Sequence, residues 1–216
     1  MLEKYSEKIL EAHKNLISTY DKVNTKGITV LTGNNGSGKS LIRKQLPFIF
    51  QKELGLDSVK ETKGMIQSIS MDARTNSNPE FGGLSGILND TSWVATSQNT
   101  FNIINGLFSS IENSSRQDSK YLVIDEYEIG CSEETIISLA LFISNKLNNL
   151  IEKGLIEGAM IITHSKVGLE HIKFDHFLNV EGKTFEEWVN RKIIPTNLEE
   201  LNKNELFSLI RDKQKS

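Results

Sequence analysis

Apolar positions recur along this 216-residue chain with two different periods. Leu2, Tyr5, Ile9, Leu16 and Tyr20 fall at three-, four- and seven-residue steps with charges between them, which predicts an amphipathic helix over residues 2–20. Asn24 and Gly27 break the pattern, and Ile28-Thr29-Val30-Leu31-Thr32 follows as a β-branched strand. Leu41, Ile42, Leu46, Ile49 and Phe50 restore the helical spacing from about Lys39 onward. Pro47 sits inside that segment and predicts a kink or break near Lys44–Leu46, with Gly55 as the stop. Met65 to Met71 alternates apolar and polar, as a half-exposed strand does. Residues 72–98 are polar and glycine-rich and read as a long loop or insert. A helix is expected over Phe101–Ile111.

The second half is more regular. Tyr121-Leu122-Val123-Ile124 is a continuous apolar run, the mark of a strand buried on both faces of a parallel sheet. Glu133–Lys153 is the longest predicted helix, with Ser132 as its N-cap and Gly154 as its stop. Ala159–Thr163 forms another buried strand, followed by a short helix and a strand at Phe177–Val180. Thr184-x-x-Glu187 and Thr196-x-x-Glu199 match capping boxes. Trp188 and Val189 on the first of these helices, and Leu201, Leu206, Leu209 and Ile210 on the second, suit either core or a partner-docking face. Strands alternating with helices give an α/β fold with a mainly parallel sheet flanked by helices. The domain reading is 1–182 for the α/β domain, including an N-terminal helix over 1–22 and the 72–98 insert, and 183–216 for a small helical C-terminal extension.

Composition narrows the picture without deciding it. The chain is 38% apolar and 25% charged, as globular proteins are. A net charge of −3 gives no global basic field, so nucleic acid is not supported as a partner by charge and a self-contained DNA machine is disfavoured. Cys131 is the single cysteine, so no intrachain disulfide framework exists, which fits a reducing compartment. The charged start Met1–Glu7 lacks the apolar core of a secretory leader, and no apolar run approaches the ~20 residues of a membrane span. A cytoplasmic location is expected.

The chemistry begins where the first strand ends. Gly33-Asn34-Asn35-Gly36-Ser37-Gly38-Lys39-Ser40 completes the pattern Gly-x-x-x-x-Gly-Lys-Ser between a predicted strand and a predicted helix. Glycines let successive N–H groups turn inward around an anion, and the positive end of the next helix faces the same point. Lys39 adds a charge for the β- and γ-phosphates, and the Ser40 hydroxyl suits Mg²⁺. In a parallel sheet, ligands sit outside the carboxyl ends of the strands. Two other buried strands end in Asp125-Glu126 and in His164. Asp125 suits a Mg²⁺ ligand, Glu126 a base that orients water, and His164 a group that senses the γ-phosphate. His13, His171 and His176 have no such context and read as structural or solvent-facing.

Gly33–Ser40, then Ile124-Asp125-Glu126, then Ile161-Ile162-Thr163-His164-Ser165, resembles in that order the ATP-binding cassette ATPases. The segment Asp125-Glu126-Tyr127-Glu128-Ile129-Gly130 is similar to the Asp-Glu-Pro-Glu-x-Gly segment of soluble, non-transporter members of that family. The resemblance covers roughly residues 25–180 and implies a P-loop NTPase fold. It implies ATP on Gly33–Ser40, Mg²⁺ on Ser40 and Asp125, Glu126 as catalytic base, His164 as switch and Lys39 as catalytic cation. It also implies an ATP-dependent homodimer; a protein partner is expected from the short, acidic chain. Ser97, in Thr96-Ser97-Gln98-Asn99, is the candidate for the family's signature serine, with a helix N-cap as the alternative. The adenine-stacking residue and the glutamine loop have no clear assignment; Tyr5 and Tyr20, and Gln67, Asp72 and Arg74, lie nearest their expected places.

Three activities compete for such a site. The leading expectation is Mg-dependent ATP hydrolysis coupled to a partner protein or nucleic-acid process. The alternatives are a slow ATP-gated switch and a small-molecule kinase. A kinase would need arginines in a lid over the phosphates, and Arg43, Arg74, Arg116 and Arg191 are scattered.

Overall fold

A computed structural model describes residues 7–34, 36–62, 64–70, 96–113 and 120–192, with backbone only at 7–13 and 96. Five short strands run through its centre: β1 (Gly27–Thr32), β2 (Ile66–Ser70), β3 (Tyr121–Asp125), β4 (Gly158–Ile162) and β5 (His176–Asn179). They form one sheet in the order β2-β3-β4-β1-β5, and every neighbouring pair is parallel. The apolar runs predicted to be doubly covered lie at the centre: every residue of β3 and β4 is buried. β2, the alternating strand, lies on an edge and is mostly half-buried, as its pattern predicts.

Among the described residues six α-helices accompany these strands: α1 (Glu7–Tyr20), α2 (Lys39–Leu54), α3 (Thr96–Glu112), α4 (Glu133–Glu152), α5 (Lys166–Leu169) and α6 (Phe185–Val189). The two faces of the sheet follow from strand alternation. Ile28, Val30, Leu122, Ile124, Ala159 and Ile161 meet Phe108 of α3 and Ile143 and Leu147 of α4 on one face. Leu31, Val123, Met160 and Ile162 meet Ile42, Leu46 and Phe50 of α2 on the other, with Leu16 and Tyr20 of α1 packed alongside. Each fully buried aliphatic or aromatic side chain contributes about 1.5–3 kcal/mol. Trp188 of α6 is fully buried in the first of these cores, and Val189 packs against it, so both take the core alternative.

Local signals explain the helix ends. The Ser132 hydroxyl accepts the Thr135 N–H at the start of α4, and Glu133 and Glu134 occupy its positive first turn. Thr184 and Glu187 complete a reciprocal capping box on α6. Gly55 stops α2 in the left-handed conformation, its N–H bonded to Gln51 O. Two expectations are corrected. The break near Lys44–Leu46 does not occur: α2 runs unbroken through Pro47. Ile42, Leu46, Ile49 and Phe50 are all buried against the sheet, and that packing holds the helix together across the missing N–H. The Phe101–Ile111 helix starts five residues earlier than its apolar spacing indicated, at Thr96, so Ser97 lies inside the first turn of α3 rather than capping it. The insert from 72 to 95, Tyr5, Asp72, Arg74, and the second capping box with Leu201, Leu206, Leu209 and Ile210 lie outside the described residues.

Register sets the geometry of the site. Leu31 of β1 and Asp125 of β3 both stand opposite Ile162 of β4. The three chains therefore leave the sheet at one level, with β4 separating the other two.

Candidate active site

The loop after β1 turns on its glycines. Gly36 and Gly38 take φ values of 76° and 103°, open to glycine and strained for other residues. A Cβ on Gly33 would lie 2.5 Å from both Ser37 Oγ and Val180 Cγ2. Ser37 N–H donates to Asn34 O at 3.1 Å, closing a turn. No side chain caps the N-terminus of α2. Asn35 lies outside the described residues. Ser40 is exposed in the first turn of α2.

Lys39 is folded back over this loop. Its Nζ donates to Gly33 O and Asn34 O, both at 3.0 Å, and lies 3.4 Å from His164 Nδ1. An ammonium has three donors, and these three contacts use them all. Burial lowers the Lys39 pKa, against an opposing pull from Glu126 and Asp125. With Lys39 as the donor, His164 Nδ1 is assigned as acceptor and the ring proton to Nε2, 3.1 Å from Glu126 Oε1. One continuous chain of contacts thus runs Lys39–His164–Glu126.

Asp125 is the last residue of β3, and its side chain is 8% exposed. Burial pushes its carboxyl up to about 6 although Arg43 Nη1 holds Oδ2 at 2.8 Å. Glu126 leaves the strand with φ 56°, the one positive φ at a non-glycine among the described residues. Such a conformation costs about 1–3 kcal/mol unless its surroundings enforce it. Glu126 N–H donates to Ile162 O at 2.9 Å, and Ile129 N–H closes onto Glu126 O at 3.3 Å. The turn sends Tyr127 into the core and returns Glu128 to the end of β4.

The structure therefore brings Lys39, Asp125, Glu126 and His164 to one edge of the sheet, beside Gly33–Ser40. Tyr20 packs into the core on the α2 face, and Gln67 is half-buried within β2. Among the described residues no cluster of three or more His, Cys, Asp or Glu could hold a metal ion. Ser40 and Asp125 do suit Mg²⁺, which takes one or two protein oxygens and fills the rest of its shell with phosphate and water. Burial keeps the Asp125 carboxyl above its ordinary range even with Arg43 beside it, and Arg43 lies three residues after Ser40 on α2. A cation held at Asp125 would favour its charged form against that burial.

Three residues at this edge carried no assigned role in the sequence. Arg43 was legible only through its spacing from Lys39 and Ser40. Glu128 was legible as the second glutamate of the Asp125–Gly130 segment, but with no role attached. Glu181, whose Oε1 accepts the Asn34 N–H at 2.7 Å, had no signal at all. No helix among the described residues is long and apolar enough to cross a membrane. Compared with known proteins, the chain matches no protein-family model and no curated sequence.

Proposed function

We propose that this chain binds ATP at Gly33–Ser40 and hydrolyses it, as a soluble P-loop ATPase of the cassette type. The observation that carries the reading is the Lys39–His164–Glu126 chain of contacts, with buried Asp125 beside it, at the carboxyl edge of a parallel sheet. In this reading the loop N–H groups, with those of Gly36 and Gly38 among them, and the N-terminus of α2 receive the phosphates. Lys39 exchanges its loop carbonyls for phosphate oxygens. Ser40 and Asp125 supply the protein oxygens for Mg²⁺, which neutralises charge on the phosphate chain when bound.

Glu126 orients a water for in-line attack on the γ-phosphorus and takes one of its protons. The bond from that phosphorus to the bridging oxygen breaks, leaving ADP and inorganic phosphate. His164 donates from Nε2 and registers the γ-phosphate beside Glu126. ATP-dependent pairing of two copies, and the engagement of a protein partner, belong to the same reading.

Phosphate release by the wild type and by Glu126→Gln tests it. The variant is expected to bind Mg-ATP and to turn over about 10²–10⁴-fold more slowly. Equal rates would remove Glu126 from the role, and a wild type without phosphate release would leave a nucleotide switch rather than an ATPase.

A further inference from the structure

Glu126 and Glu128 bracket His164 from two directions. Glu126 meets the ring, at Nε2. Glu128 meets the backbone: its Oε1 accepts the His164 N–H at 2.6 Å and the Thr163 hydroxyl at 2.9 Å. Thr163 Oγ1 in turn accepts the Ser165 N–H at 3.0 Å. One carboxylate oxygen thus ties down three consecutive residues where β4 ends and His164 leaves the sheet. The contact is charge-assisted and short, the stronger kind of hydrogen bond. The other oxygen, Oε2, is buried without a partner, so this carboxylate is held in a costly position.

The arrangement follows from the turn. The left-handed Glu126 and the buried Tyr127 leave residues 126 and 128 facing the end of β4 together. A surface glutamate would need neither a buried oxygen nor a partner 36 residues away in sequence.

We propose that Glu128 is a positioning residue that clamps the His164 backbone, so that the imidazole stays between Lys39 and Glu126. This rests on the ATPase reading only for its consequence in turnover, because the clamp itself needs no ligand. Without Glu128 the end of β4 keeps the Thr163 N–H bond to Leu31 O and the Arg191 contact to His164 O but loses its hold on the His164 N–H and the Thr163 hydroxyl. The His164 ring then leaves the line between the base and the phosphate loop, while the loop that holds ATP stays intact.

Two measurements on the full chain test this. In the first, NMR of ligand-free protein follows the His164 amide and its imidazole ¹⁵N resonances. In the wild type the amide should be shifted downfield and protected, and the ring should report the Nε2–H form. In Glu128→Ala the amide should move upfield, exchange about tenfold or more faster, and the ring should report a mixture of tautomers. Glu128→Gln, which keeps an acceptor oxygen, should restore most of the wild-type signature. Thr163→Val removes one of the anchored groups and should shift the same signals less, so it serves if Glu128→Ala does not fold.

In the second, Glu128→Ala should lower kcat about 10–100-fold with ATP affinity changed less than about twofold. The same substitution in a His164→Ala background should change kcat less than about twofold, because the residue acts through His164. Unmoved His164 resonances in Glu128→Ala, or equal losses in the two backgrounds, would overturn the proposal. If no form releases phosphate, the ATPase reading fails, and the NMR signature alone decides whether the clamp exists.

Discussion

The face of the sheet under α4 and the carboxyl edge of the same sheet are built on opposite terms. Under α4, Ala140, Ile143, Leu147 and Leu150 are all fully buried against apolar strand residues, and the helix carries its expected cap. Local propensity, pattern and packing agree there. One residue past Ile124 the agreement ends. A carboxylate is buried, a lysine is desolvated, and a glutamate takes a left-handed conformation. Each of these costs stability on its own. Several conflicts with the local rules gather at this one edge, which is the distribution expected when an edge has been shaped for a ligand rather than for folding.

Substitutions on the two sides should therefore act in opposite directions. The largest effect is expected in the core. Leu147→Ala should cost about 2–5 kcal/mol in denaturant unfolding by removing buried methyl groups and leaving a cavity. ATP affinity of the folded fraction should stay as it was.

At the edge, Asp125→Asn should raise the stability of ligand-free protein at pH 8 by up to ~3 kcal/mol, while removing Mg-dependent binding. The sign follows from a carboxyl moved from 3.8 to about 6 in the fold. Its protonated form is favoured on folding, so its contribution is fully present below the ordinary value of 3.8 and lost as pH rises through about 6. The advantage of the asparagine variant should accordingly shrink toward zero near pH 4. Unfolding curves for both proteins at pH 4, 6 and 8 measure it. A variant less stable than wild type at pH 8 would mean that the Arg43 ion pair outweighs the burial.

Two smaller effects sharpen the contrast. Glu126→Gly should relieve about 1 kcal/mol of backbone strain at φ 56°, offset in part by the lost bond to His164. An unchanged or lower melting temperature would assign more weight to the bond than to the strain. Arg191 stacks on Trp188 with its guanidinium carbon 3.3 Å from the ring centroid and donates to Trp188 O at 2.7 Å. Arg191→Ala should cost about 0.5–2 kcal/mol, while a conservative lysine should recover only part of that.

Much of the regular side of this comparison was legible in the residues. Two central strands announced themselves by unbroken apolar runs, and α4 by its period, its serine cap and its glycine stop. The phosphate-loop pattern, the acidic pair and His164 were each visible at a predicted strand end. What could not be read were relations across the fold. Nothing local says that β4 stands between β1 and β3, or that Arg43 reaches Asp125 82 residues away. Pro47 argued for a kink or a break by its chemistry alone, and tertiary packing carries the helix through it without a break. The start of α3 was misjudged because its first turn, Thr96-Ser97-Gln98-Asn99, is polar, and polar residues there read as loop. Glu128 stood in plain view within Asp125–Gly130, but its partners are set by a left-handed turn that a non-glycine residue does not announce.

The central claim is that the loop after β1 and the acidic end of β3 face a common nucleotide. Titrating the ¹⁵N-labelled 216-residue chain with Mg-ATP and following amide shifts tests it most directly. The account predicts saturable shifts concentrated at Gly36, Gly38, Lys39, Ser40, Asp125, Glu126 and His164, sparing Leu147 and Leu150, and lost in Lys39→Ala. Shifts confined to the phosphate loop with Asp125 and Glu126 unmoved, or no saturable shift at all, would contradict it.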